Sequence, residues 1–264
     1  LDQPPEFSLR CPRLPAPLHL LAGLLGARGL SWGEKLAATR WAHALLNSAA
    51  TADHLSVSQL TRSQPEKLNR LLWHPLCVSA LNTPPEIASA RVFRDVIRAA
   101  FGGRTHHSDL LLPRRDLTAL FPAPAATRLV ELGGNVCLPC RVTSLDASAE
   151  GVTLATRDES AVYSHVILAV APQHLAGLAA TIPELESEVH DVAGYHYQPI
   201  ATGYVQYDLG FRLARPLFAL ADGPAQFVFD RGQSHGQPGL LAFVSSATAN
   251  LPADWLAQAE AQLR

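Results

Sequence analysis

Residues 161–179 read AVYSHVILAVAPQHLAGLA: a nearly unbroken apolar run, a proline, then apolar positions at helical spacing. A Val- and Ile-rich run of this length predicts a strand covered on both faces, and the segment after Pro172 predicts a helix. Two shorter runs precede it, NVCLPCRVTSLDA (135–147) and GVTLATRD (151–158), and both predict strands. Strand, strand, buried strand, helix is the order of one portion of a layered α/β domain. The predicted fold class is therefore α/β, with an α+β remainder supplied by the flanking regions.

Toward the N-terminus the pattern turns helical. PLHLLAGLLGARGL (17–30) and SWGEKLAATRWAHALLNSAA (31–50) predict a two-helix hairpin, the second helix opened by Ser31 and Glu34 at capping-box spacing. SVSQLTRS and PEKLNRLLWHPLCVSALN continue at helical spacing, with Pro75 predicting a kink or break. In PPEIASARVFRDVIRAAFGG the residues Val92, Phe93, Val96, Ile97 and Ala100 form the expected buried stripe. LTALFPAPAATRLVELGG predicts an interrupted helix stopped by Gly133 and Gly134. Toward the C-terminus, YQPIATGYVQYDL, LFALAD, AQFVFDRG and GLLAFVSSA alternate between turn residues and predict a mostly antiparallel sheet. No internal repeat appears.

At 264 residues, with 48% apolar and 17% charged residues and a net charge of −2, the chain is expected to be globular and carries no basic excess for nucleic acid. Four cysteines are too few for a disulfide scaffold and suit a reducing, cytoplasmic setting. No signal peptide or uncharged membrane-length run is visible, since His19 and Arg28 interrupt the longest candidate. The chain begins at Leu1 and holds no methionine, which suits a piece of a longer chain or a sequence that has lost modified methionines.

Few chemical motifs survive inspection. Cys137 and Cys140 have Cys-x-x-Cys spacing, but no second ligand pair follows and they sit in a predicted apolar strand rather than at a helix start, so packed strand residues are expected. His106, His107 and Asp109 read as a solvated loop, so no metal site is predicted. Gly-x-Ser-x-Gly is absent, as are both glycine-rich phosphate loops, Gly-x-Gly-x-x-Gly and Gly-x-x-x-x-Gly-Lys-Ser/Thr. What remains is polar residues inside apolar segments: Trp73, His74 and Asn82 in LLWHPLCVSALN, and Asp230-Arg231 after QFVF. Two readings stand: core residues plus a solvated strand end, or a large apolar pocket with a few polar groups that suits a lipid-like substrate.

LPAPLHLLAGLLGARGLS, LLWHPLCVSALNTPPEIASA, SDLLLPRRDLTALFPAPAATRLVELGG, YQPIATGYVQYDL and QFVFDRG, in this order, resemble the hydroxysqualene dehydroxylases. These are squalene-associated, FAD-dependent enzymes of the amine oxidase and phytoene desaturase superfamily. The resemblance implies a partial FAD-binding domain of the amine oxidase type plus a substrate region of helices and a mostly antiparallel sheet. It implies a helical cap over residues 1–130, an FAD-domain segment over 131–180 and the substrate sheet over 181–264. The reaction implied is reductive removal of the hydroxyl of hydroxysqualene, giving squalene on the hopanoid route. Flavin carries the hydride and the protein supplies an apolar, water-poor slot. The resemblance names no proton donor and no oligomeric state.

In the superfamily a strand of the form G-x-V-x-x-x-x-x-V-x-x-I/L passes the adenine end of FAD. Gly134, Val136, Val142 and Leu145 match it, and Val142 and Gly134 are the implied cofactor residues. Ala169, Ala171 and Pro172, at the end of VILAVAP, are implied beside FAD as well. Trp73, Leu76 and Asn82 are the implied substrate-pocket residues. The chain lacks both the family's opening Gly-x-Gly-x-x-Gly and its closing Gly-Asp motif, so weak or absent FAD binding and no turnover are expected of it alone. A carotenoid-type desaturase or amine oxidase is the alternative within the superfamily, and a non-enzymatic lipid-binding module the alternative outside it. An isoprenoid ligand also implies peripheral contact at the inner membrane face, although no basic amphipathic helix marks it.

Overall fold

Helix α1 (Leu18–Gly26) and helix α2 (Trp32–Asn47) form the predicted hairpin in the computed structural model, which describes residues 6–47, 54–248 and 250–263. Ser31 and Glu34 make the capping box: the Ser31 hydroxyl accepts from the Glu34 N–H at 3.3 Å, and the Glu34 carboxylate accepts from the Ser31 N–H at 2.7 Å. Gly29, at φ +85°, lets the N-terminal segment pass so closely that a Cβ there would lie 1.9 Å from the Glu6 carbonyl oxygen. Helix α3 (Val57–Thr61) begins at a second capping box, Ser56 with Gln59.

The run from Glu66 to Leu81 differs from expectation in an informative way. Helix α4 (Glu66–Leu68) passes into a π-turn (Asn69–Trp73) and on into helix α5 (His74–Leu81) without a break at Pro75. Pro75 has no N–H to give the preceding turn; the widened turn, in which the His74 N–H reaches the Asn69 carbonyl five residues back, absorbs the proline while the chain stays helical. Helix α6 (Ala90–Phe101) buries Ala90, Phe93, Arg94 and Ile97, an i, i+3, i+4, i+7 face. Val92, expected in that stripe, is exposed, because the buried face is centred on Phe93 and Ile97 and Val92 falls on its flank. Leu24, Ala38, Ala42, Leu68, Phe93 and Ile97 are central to the first core.

The chain divides into two compact units, one built from the chain up to Asp116 together with the part from Gln198 onward, the other from Leu117–Tyr197. Unit 2 opens with helix α7 (Leu117–Leu120) and helix α8 (Pro122–Glu131), the predicted interrupted helix. A three-stranded antiparallel sheet follows, β1 (Ser144–Ser148), β2 (Gly151–Ala155) and β3 (Ser160–Tyr163), in sequence order. Helix α9 (Leu175–Ala179) packs on β1, and helix α10 (Glu186–Ala193), which the sequence reading missed, closes the unit.

Here the expectation that opened the reading is corrected. Only Ser160–Tyr163 of the long apolar run is strand; residues 165–169 are irregular, and Ile167 is 91% exposed rather than covered on both faces. NVCLPCRVTSLDA likewise becomes strand only at Ser144, and Cys137 and Cys140 are exposed rather than packed. Among the described residues, the backbone of 135–142 and of 165–170 makes no hydrogen bond to other backbone. The apolar pattern marks burial, and burial needs neighbouring strands that unit 2 does not supply.

The second part of unit 1 is a four-stranded antiparallel sheet in the order β4-β7-β6-β5, from β4 (Ala201–Gln206), β5 (Leu217–Ala219), β6 (Phe227–Asp230) and β7 (Leu240–Ser245). Helix α11 (Arg231–His235) connects β6 toward β7, and helix α12 (Trp255–Ala261), also missed in the sequence, supplies Ala259 to a second core with Val228, Leu241 and Phe243. Gly203 of β4 admits this helix: a Cβ would meet Leu256 at 2.5 Å.

Candidate functional site

An apolar cavity of about 90 Å³ lies in the helical part of unit 1. Leu20 and Leu24 reach it from α1, Trp41 and Ala42 from α2, Ile97 and Phe101 from α6. The π-turn and the start of α5 contribute Leu72, Trp73 and Leu76, so the segment that absorbs Pro75 also forms a wall. Trp41 and Trp73 meet with ring centroids 4.5 Å apart and planes tilted by 46°. No polar group lines the cavity.

Two of the three expected substrate-pocket residues, Trp73 and Leu76, are thus brought together. Asn82 lies elsewhere: it ends α5 in the left-handed conformation, φ 47° and ψ 37°, and its side chain bridges two segments of the sheet region. Its Nδ2 donates to the Gln198 carbonyl at 2.7 Å and its Oδ1 accepts from the Ala247 N–H at 2.8 Å. That is a clamp, and it engages both polar atoms of the side chain within the protein.

Three titratable groups lie around these helices. His19 is fully buried, with Nε2 3.4 Å from the Ser108 hydroxyl, its ring 6.2 Å from Phe101, and Nδ1 without a partner. The signal for it was a lone histidine in an otherwise apolar helix, read only as an interruption. His74 is half-buried, and burial pushes its pKa below the ordinary histidine value, against the opposing charge of Glu86. Burial, with Glu86 adding to it, pushes the Cys77 thiol up to about 12, so it behaves as a core residue.

Asp230 is not the end of a solvated strand. It is buried, and accepts from the N–H groups of Leu213 and Gln233, both at 3.0 Å, and from the Gln233 amide at 2.7 Å. Burial raises its pKa, but these donors outweigh burial and hold it below the usual carboxylate range. FDRG is therefore the cap of α11 and an anchor for the Leu213 loop. His106 and His107 stay exposed on a short 3₁₀ turn, and no group of metal-ligating side chains occurs among the described residues.

The implied cofactor residues all fall in unit 2. Gly134 and Val142 are half-buried, and Ala169, Ala171 and Pro172 are exposed. Gly134 has a local reason to be glycine: its N–H closes the end of α8 on the Leu129 carbonyl at 2.9 Å, and a Cβ would meet the Leu129 side chain at 2.8 Å. Val142 and Ala169 lie in or beside the two irregular runs whose backbone groups are unpaired. Backbone contact with a nucleotide is open to them. A pyrophosphate is not provided for, because no glycine-rich turn opens a helix anywhere in the sequence. The residues present fit only part of an FAD, so no chemical step is routed through it.

The sequence profile of the flavin-containing amine oxidoreductases matches residues 8–262. The chain belongs to this family. FAD is the cofactor of the family. Among solved structures, the family member resembles putrescine oxidase bound to putrescine, at 17% identity and a TM-score of 0.60 over 97% of this chain and 65% of that one. It resembles reduced UDP-galactopyranose mutase at 13% identity and 0.58, over 97% and 62%. An oxidoreductase from Methanosarcina mazei aligns at 12% identity and 0.55, over 89% and 56%. At these identities the likeness is one of fold, and the chain spans less than two thirds of each of these structures. No curated protein sequence matches it. No helix among the described residues is long and apolar enough to cross a membrane.

Proposed function

We propose that this chain serves a flavin-dependent oxidoreductase of isoprenoid metabolism that removes the hydroxyl of hydroxysqualene to give squalene. The observation that carries the reading is the wholly apolar cavity walled by Trp73 and Leu76, which come from the block LLWHPLCVSALN. A hydrocarbon gains contacts there, whereas an amine would leave its charge without a partner. Flavin held by the complete protein would supply the hydride chemistry that this reading requires. The chain's own contribution is to hold the hydrocarbon and keep water from it: α1, α2 and α6 form a rigid frame, and the π-turn sets the two indoles against each other. The sparse cysteines suit a cytoplasmic setting, and a bilayer-dwelling substrate would bring the protein into peripheral contact with the inner membrane face.

The test is incubation of the complete flavin-loaded protein with hydroxysqualene and reduced flavin. Squalene is the expected product, and a flavin-loaded enzyme that forms none overturns the reading. An oxidised, more unsaturated product or an aldehyde from an amine would assign the protein to the desaturase or amine oxidase branch instead.

A further inference from the structure

The turn end of the α1–α2 hairpin exposes apolar side chains that its own folding does not require. Trp32, the first residue of α2, is 71% exposed; Leu36, one turn on, and Leu25, near the end of α1, are exposed as well. None of the three packs in the first core. They differ from Leu138 and Ile167 of unit 2, which stand on unpaired backbone: here the helices are formed and no strand is wanting. Their surroundings are basic. Arg40 continues the exposed stripe of Trp32 and Leu36 at i, i+4, i+8, and Arg28 is exposed in the turn. The Lys35 ammonium lies 4.8 Å from the centroid of the Trp32 ring. From residue 10 to residue 40, Arg10, Arg13, Arg28, Lys35 and Arg40 stand against a single acidic residue, Glu34, in a chain of net charge −2. Glu34 is engaged in the capping box, accepting from the Ser31 N–H at 2.7 Å and from its hydroxyl at 2.8 Å. An exposed indole and leucines among cations match the headgroup layer of an anionic bilayer, which takes the ring at its apolar boundary and the cations at its phosphates.

We propose that the turn end of the α1–α2 hairpin is the surface by which this protein docks on an anionic bilayer, with Leu25, Trp32 and Leu36 entering the lipid and Arg28, Lys35 and Arg40 meeting the headgroups. The same two helices line the apolar cavity with Leu20, Leu24, Trp41 and Ala42, so a bilayer docked at their turn lies within one helix length of it. The proposal rests on the isoprenoid reading above for why a bilayer is the partner, and on the exposed stripe and its charges for where the bilayer binds.

The test is co-sedimentation of the complete flavin-loaded protein with phosphatidylcholine vesicles, plain or containing about 30% phosphatidylglycerol. Binding is expected to be about tenfold tighter with the anionic lipid and to fall as salt rises to about 0.5 M. Trp32→Ser combined with Leu36→Ser should weaken it about tenfold, and Lys35→Gln about fivefold. Ile87→Ser, which removes a comparably exposed side chain elsewhere in unit 1, should leave it unchanged. Brominated lipid should quench the tryptophan fluorescence of the wild type, and Trp32→Phe should lose that quenching while still sedimenting; this arm decides if the double serine variant does not fold. No binding to anionic vesicles, equal binding to both lipids, unchanged binding by the double variant, or quenching that survives Trp32→Phe each overturns the proposal. Self-association that Trp32→Ser abolishes, without vesicle binding, would overturn it in favour of a second copy of the chain. A protein that binds vesicles through Trp32 but forms no squalene would remove the isoprenoid reading and leave the docking surface standing; squalene formed by a protein that ignores vesicles would do the reverse.

Discussion

The two units bury their apolar residues to very different extents. Unit 1 closes two cores, one among its helices around Phe93 and Leu24 and one between its sheet and α12 around Phe243 and Leu241. Unit 2 buries only Leu145, Ala179 and Ile182 among its described large and small apolar residues, while Phe121, Leu138 and Ile167 stand out in solvent. Yet the apolar density of the two sequences is similar, and the longest apolar run of all is in unit 2. A hydrophobic run reports what a segment needs; whether the need is met depends on which other strands are present.

The largest expected contrast is chemical. Cys77, in the first core of unit 1, has its thiol pushed up to about 12 by burial, so its thiolate fraction at neutral pH is about a thousandfold below that of an ordinary thiol. Cys137 and Cys140 of unit 2 are exposed. Iodoacetamide followed by peptide mass mapping should modify Cys137 and Cys140 first and Cys77 only after denaturant is added. Early labelling of Cys77 would mean that the first core opens as readily as unit 2.

Next in size is the core itself. Phe93→Ala removes one of the two largest fully buried side chains of unit 1 and should cost about 3–5 kcal/mol in urea unfolding. Asp230→Ala should cost about 2 kcal/mol, since it leaves the N–H groups of Leu213 and Gln233 without their acceptor. Its pH dependence follows from the lowered folded-state pKa: the stabilisation is fully present above the unfolded-state carboxylate range and is lost as pH falls through the folded pKa. Asp230→Asn should therefore flatten the acid limb of a stability-against-pH curve. A limb unchanged by Asn would show that other carboxylates set it.

Much of this was legible in the sequence where the signal is local. The capping box at Ser31, the hairpin of α1 and α2, the stop at Gly133-Gly134 and the antiparallel strands after Ala201 all depend on residues within a few positions of each other. Trp73 and Leu76, expected at the substrate pocket from the resemblance of their block, both line the apolar cavity of unit 1. The misses involve partners distant in sequence. Asn82 looked like a polar pocket group because its acceptor and donor, Gln198 and Ala247, lie more than a hundred residues away. Asp230 looked like a solvated strand end because its burial depends on the Leu213 loop. Val92 shows the remaining kind of error: an apolar stripe fixes a helical face to within a flank, and packing selects its centre.

The smallest effect is the one that tests the comparison most directly. Ile167→Ser would cost several kcal/mol if residues 161–171 were a strand buried on both faces, as their composition predicts. In this chain Ile167 is 91% exposed and its backbone is unpaired, so nothing is lost but a solvated side chain. The expected change in unfolding free energy is within about 0.5 kcal/mol, with amides 165–170 unprotected in hydrogen exchange and those of β7 among the slowest. Apolar surface held open on unpaired backbone also favours association with other chains, so the serine variant should aggregate less while its stability stays constant. A cost above 1 kcal/mol, or slow exchange at 165–170, would mean that the run finds strand partners in solution. In that case the difference between the units would be one of assembly rather than of the fold each forms within this chain.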